Sequence, residues 1–159
     1  MAALTSALLW VSAIGCGLIA GLYFVFSTTI MRALGSIEPQ VGMAAMVSIN
    51  QTILRGAFLP LFFGTSFASL CLLALSVLEI SRQDALLIGT AALVYLVGMF
   101  GCTVVFNVPL NNALAAAVAQ PDAAAQWTRY LRDWTMWNHV RTVSSTLAAI
   151  LFTAALAIR

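Results

Sequence analysis

The polar and ionisable side chains of this apolar chain gather in one octet, Trp134-Thr135-Met136-Trp137-Asn138-His139-Val140-Arg141, which holds its only histidine. On a helix, Trp134, Asn138, Arg141 and Ser145 fall at i, i+4, i+7 and i+11, so one stripe carries an indole, an amide, a guanidinium and a hydroxyl. Arg141 offers a planar fork of N–H donors and Asn138 an amide, a pair suited to holding an anionic oxygen. His139 sits about 100° around the helix from Asn138. Its imidazole could remove a proton from an acidic C–H or a phenol. Each has a plainer use as well: Arg141 could snorkel to lipid headgroups, and a histidine beside two tryptophans could be an interfacial anchor.

A second group is Asn107-Val108-Pro109-Leu110-Asn111, two amides four residues apart across a proline. One asparagine could close a helix or open the next. Two of them, with Asn138, could instead hold a carbonyl or phenol and stabilise the enolate that forms when a proton leaves, as an oxyanion hole does. Tyr23, Phe26 and Ser27 follow the first apolar run, and Met46 and Asn50 precede the second. Aromatic and methionine side chains near these segments, Phe24, Phe58, Phe62, Phe106, Met43 and Met136 among them, suit either a flat aromatic ligand or a core and interfacial belt.

Composition says what must position these groups. With 62% hydrophobic and 8% charged residues, and mean hydropathy +1.01, the chain is far from the balance of a soluble domain. It reads as all-α, a single four-span domain over residues 1–159: an integral membrane four-helix bundle with short amphipathic helices capping one mouth. The spans are expected at about 4–26, 56–78, 85–107 and 140–158, each long enough for a hydrocarbon core that needs about 20 apolar residues. Net charge is only +2, so a nucleic-acid partner is not expected. Cys16, Cys71 and Cys102 lie in apolar runs and read as buried small hydrophobes. No basic residue precedes Arg32, so a plain first span is expected rather than a cleaved signal.

Between the spans, Pro39 should start a short helix that ends near Asn50, and residues 79–84 should form a tight turn that makes the second and third spans antiparallel neighbours. Pro109 is expected to end the third span near Asn107 and restart a short helix, Pro109 to Val118, with Asn107 or Val108 as cap. Gln120-Pro121-Asp122 should break the chain again, with Asp122 capping Ala123 to Asp133. Ala13, Gly17 and Gly21, Gly64 with Ala68, and Gly89, Gly98, Gly101 and Cys102 read as small-residue faces for close helix contacts or for a homodimer. This alternation puts all four polar stretches at one mouth, with Arg32, Arg55, Arg129, Arg132 and Arg141. The positive-inside rule assigns that mouth to the cytoplasm.

The Asn107-Val108-Pro109-Leu110-Asn111 and Trp137-Asn138-His139-Val140-Arg141 motifs, Phe26-Ser27 followed by Met31, and Met46 to Asn50 together resemble the anthrone oxygenase family over about residues 15–155. The resemblance implies a bacterial inner-membrane protein and an oxygenase-like oxidoreductase that acts on a lipophilic aromatic or phenolic, anthrone-like or quinol-like compound with O2. It carries over Asn107, Pro109, Asn111, Trp137, Asn138 and Arg141. The resulting expectation is catalysis by His139, Arg141, Asn138 and Asn111, with binding by Asn107, Pro109, Trp137, Trp134, Tyr23, Phe26, Ser27, Met46 and Asn50. No cofactor is required by this pattern, since an activated carbanion can pass an electron to O2. No set of metal ligands is apparent, though a haem held by His139 alone stays open. Rival readings are a non-catalytic binder or small transporter of hydrophobic molecules, and a haem-binding membrane protein.

Overall fold

The computed structural model describes residues 2–118, 120 and 122–159; the expected break at Pro121 lies outside the described residues. Helix α1 is continuous from Ala2–Val25 through a π-helical turn, Phe26–Ile30, to Met31–Gly35. Helix α2, Pro39–Ile53, begins as its sequence predicts. Pro39 occupies the first turn, where no backbone donor is needed, and the Glu38 carboxylate accepts from the Val41 N–H at 3.0 Å. Helix α3 is Phe58–Leu78. Helix α4 joins Ala85–Tyr95, the π-helical stretches Leu96–Gly101 and Thr103–Asn107, and Val108–Ala117. Helix α5 is Ala123–Ala157. All but α2 are long and apolar enough to cross a membrane, so the chain is an all-α membrane bundle.

Three boundaries differ from expectation. The first span runs on past Phe26 to Gly35, because nothing in Ser27-Thr28-Thr29 stops a helix already paid for by an apolar face. The third span does not stop near Asn107: both Asn107 and Val108 keep right-handed helical dihedrals, and Asn107 makes no side-chain cap. Proline removes one i→i−4 bond. Here it comes two residues after a π turn has already shifted that pairing, so the missing N–H leaves little further to lose. Finally, Ala123–Asp133 and the fourth span form one 35-residue helix, about 52 Å long at 1.5 Å per residue. That exceeds the ~30 Å hydrocarbon core, so the turns bearing Arg129, Arg132 and Asp133 extend beyond it.

Glycines set the closest helix contacts, but only some of the expected ones. Gly17, Gly21 and Gly64 have open space where a Cβ would be, whereas Gly15 lies against Thr65 and Gly98 against Ser144. A methyl group at Gly98 would collide with the Ser144 side chain, so α4 and α5 approach as only glycine allows. The buried side chains form two clusters. One, with Leu9, Cys16, Ile19, Tyr95, Met99 and Phe152, fills the bundle. The other, with Phe26, Met43, Met46, Trp127, Tyr130 and Trp134, docks α2 across the mouth. At the opposite end Arg82 bonds Glu79 at 2.7 Å and Asp84 at 3.0 Å, and Arg159 reaches Asp84 at 3.5 Å, tying the turn to the C-terminus.

Candidate functional site

A cavity of about 250 Å³ opens at the junction of the two clusters. Val47, Ile53, Leu54, Phe58 and Val108 give it an apolar wall; Tyr23, Asn50, Thr103, Asn107, Asn111 and Arg141 give it a polar one. Arg141 is the centre of the polar wall. It is 4% exposed, and its Nη2 donates to Asn138 Oδ1 at 2.6 Å and its Nη1 to Thr103 Oγ1 at 3.4 Å. The guanidinium lies 4.1 Å from the Tyr23 ring centroid and 5.1 Å from that of Trp134, so two π faces shield it. Its Nε is buried with no partner. None of the ion pairs among the described residues includes Arg141. A buried charge without a counter-ion costs several kcal/mol.

Asn138 is what aims this guanidinium. It is fully buried, and its Nδ2 donates to the Tyr23 carbonyl at 2.7 Å and to Ser27 Oγ at 2.6 Å while its Oδ1 accepts from Arg141. Both amide hydrogens are thus used inside the protein. Asn138 orients Arg141 and has no donor left for a ligand, which corrects the expectation of a direct contact. The π turn Phe26–Ile30 begins three residues after Tyr23. Such a turn disrupts i→i−4 pairing in its neighbourhood, and here the side chain from α5 takes the Tyr23 carbonyl. Ser27 is accordingly held behind the wall rather than in it.

The other α4 and α5 residues divide similarly. Asn107 is 1% exposed and lines the cavity; its Nδ2 donates to the Trp134 carbonyl at 3.3 Å, and Cys102 Sγ approaches its Oδ1 at 3.8 Å. It therefore bridges α4 to α5 instead of capping either. Asn111 lines the cavity and accepts from the Tyr130 hydroxyl at 2.8 Å. Trp134, Phe26 and Asn50 also face the cavity, the Trp134 Nε1 buried without a partner. Met46 is fully buried behind α2 in the mouth cluster.

Besides Asn138, Ser27 and Met46, three more expected site residues are absent from the cavity lining. Pro109 is exposed. Trp137 stacks on Phe106, centroids 3.6 Å apart and 2° from parallel, away from the cavity lining. His139 is exposed, with no hydrogen bond among those of the described residues. The 100° step that separates it from Asn138 turns it out of the bundle. His139 is not among the residues that line the cavity. Among the described residues no three of His, Cys, Asp and Glu gather as a metal site.

Sequence reasoning missed Thr103 and Tyr130. It missed, too, that all three π turns flank the site: Phe26–Ile30 carries Phe26 and Ser27, Leu96–Gly101 carries Met99 beside Tyr23, and Thr103–Asn107 carries both of its namesakes. Widened turns of this kind recur where a helix must re-aim a side chain. Nothing in the stretches Leu96–Gly101 or Phe26–Ile30 signals them.

The family model for anthrone oxygenases matches residues 55–151. The match takes in the cavity residues of α3, α4 and α5, and leaves α1 and α2 outside it. No curated protein and no solved structure matches the chain. With well over half of its length matched, across the stretch that carries Thr103, Asn107, Asn111, Trp134 and Arg141, the chain belongs to the anthrone oxygenase family.

Proposed function

We propose that the cavity binds a lipophilic aromatic compound as its phenolate or enolate and that the protein is a membrane enzyme oxidising it with O2. The observation that carries this reading is Arg141, buried without a carboxylate at one wall of an otherwise largely apolar cavity. A ligand that is flat and apolar but bears one anionic oxygen satisfies both walls: it buries ring area against Val47, Ile53, Leu54 and Phe58, and it neutralises the guanidinium.

The same contact drives the chemistry. A cation within reach of an acidic phenol or ketone favours its ionised form. Among the described lining residues there is neither a carboxylate nor an imidazole, so the proton passes to water at the rim, where Gln51 and Asn112 are exposed. The electron-rich carbanion then reduces O2. For an anthrone the ring CH2 becomes C=O, a loss of four electrons and two hydrogens; one oxygen atom of O2 enters the ring and the other leaves as water. Arg141 holds the first oxygen throughout, and Asn111 stands where a second can be received. This route asks for no cofactor. Arg32, Arg55, Arg129 and Arg132 at the mouth support a cytoplasmic-side position in a bacterial inner membrane.

The test is O2 uptake by the purified protein in detergent given anthrone. The expected result is a rate well above autoxidation, lost in Arg141→Gln, with one 18O atom from 18O2 in each anthraquinone. Binding of anthrone without excess O2 uptake would make the protein a carrier or binder instead.

A further inference from the structure

The cavity has a second polar end, and its polarity is set by a residue outside the lining. Asn111 lies eight residues beyond Thr103 on α4, about 12 Å along the helix axis, and Thr103 is the residue bonded to Arg141. Behind Asn111 stands Tyr130, 3% exposed. Its ring is stacked between Trp127, 5.7 Å away at 13°, and Trp134, 6.0 Å away at 28°. The ring has no freedom to swing, so the hydroxyl points one way, to Asn111 Oδ1 at 2.8 Å. An asparagine whose oxygen is engaged from behind presents its NH2 in front. Asn111 Nδ2 has no partner among the described residues. Trp134 Nε1 lines the same cavity and is buried and unpartnered. At the Asn111 end of the cavity the group that waits for a ligand is therefore an N–H donor.

We infer that Tyr130 is a positioning residue: it turns the Asn111 amide so that this end of the cavity donates to a second, acceptor-only oxygen of the ligand, remote from the oxygen held by Arg141. The inference rests on the proposed binding of an aromatic anion and narrows it to compounds with oxygens on opposite edges of the ring system. It also gives the oxidation a direction, because the entering oxygen becomes an acceptor at that end.

Two probes separate this from the underlying reading. 1-Naphthol has one oxygen; 4-methoxy-1-naphthol adds an oxygen that accepts and cannot donate. Titration calorimetry in detergent, corrected for empty micelles, should show the methoxy compound binding the native protein about five- to tenfold more tightly, the worth of one hydrogen bond. Tyr130→Phe should erase that advantage and leave 1-naphthol affinity within twofold. Asn111→Asp, which replaces the donor by an acceptor and leaves Tyr130 in place, should turn the advantage into a penalty, so the inference stays testable even if Tyr130→Phe does not fold. A native protein with no preference for the methoxy compound, or a preference retained in Tyr130→Phe, overturns the role of Tyr130. Loss of 1-naphthol binding altogether, or binding indifferent to Arg141→Gln, overturns the aromatic-anion reading itself.

Discussion

Replacing Arg141 separates stability from function in a way that a merely structural arginine cannot. In the free protein its guanidinium is buried, lacks a carboxylate and leaves Nε unpartnered; removing one partner of a balanced buried pair is costly, but removing an uncompensated charge is not. Glutamine at 141 can still donate an amide N–H to Asn138 Oδ1, replacing the 2.6 Å bond. Arg141→Gln should therefore unfold at the same temperature as the native protein or higher. Turnover should collapse, because each hydrogen bond from a charged donor to the developing anion contributes about 1.5–3 kcal/mol, or roughly one to two decades in rate. Arg141→Lys keeps the charge and loses the planar fork, so at least a tenfold loss of turnover is expected with KM for anthrone less affected. Thermal unfolding in detergent and O2 uptake on the same samples check both. An Arg141→Gln protein that is several degrees less stable, together with an Arg141→Lys protein of native turnover, would show that Arg141 only holds helices together.

Asn138→Leu leaves the Tyr23 carbonyl, Ser27 and Arg141 without their shared partner; at about 1–3 kcal/mol for each stranded buried group, it should lower the unfolding temperature clearly and abolish turnover. His139→Gln, at an exposed position, should change neither turnover nor its pH profile; a tenfold loss would restore His139 as the base. Gly42→Ala would put a methyl group 2.7 Å from the Leu34 carbonyl and 2.9 Å from the Trp127 ring, so α2 must shift; since α2 walls the cavity, anthrone KM should rise several-fold more than kcat falls. At the opposite end, burial raises the Asp84 carboxyl pKa, but the Arg82 fork and Arg159 outweigh it and hold the group below its ordinary range. A lowered folded-state value means that its stabilisation is present above the unfolded carboxylate value, about 3.9, and is lost as pH falls through the lower folded value. Unfolding temperatures between pH 7 and 3 should thus show a steeper acid limb in the native protein than in Asp84→Asn.

What could be read from the chain follows from which forces dominate where. The second span was placed within two residues, since apolar length and flanking Arg55 and Glu79 decide a membrane span almost alone. The start of α2 was legible for a local reason, Glu38 before Pro39. Boundaries failed wherever tertiary packing overrode a local rule. Pro109 looks like a terminator until α4 is seen to carry two π stretches just before it, and on the first span the glycine that matters, Gly15, falls outside the four-residue spacing of Ala13, Gly17 and Gly21.

The site shows the same division. The stripe of Trp134, Asn138, Arg141 and Ser145 is a property of one helix, and all four residues are buried as the spacing implies. A stripe gives faces but not partners, so it could not say that Asn138 spends its hydrogens on Tyr23 and Ser27, over a hundred residues away in the chain. Thr103 and Tyr130 were invisible for that reason: each matters only through a side chain on another helix, Arg141 for one and Asn111 for the other. His139 drew notice by being unique, yet its neighbour in sequence owns the inward face, and two adjacent helical residues do not share one. In a protein with so few polar groups, burial sorts the functional from the conspicuous: Arg141, which lipid or core should expel, is retained inside without a counter-ion, and the anionic ligand proposed for the cavity would make that placement favourable.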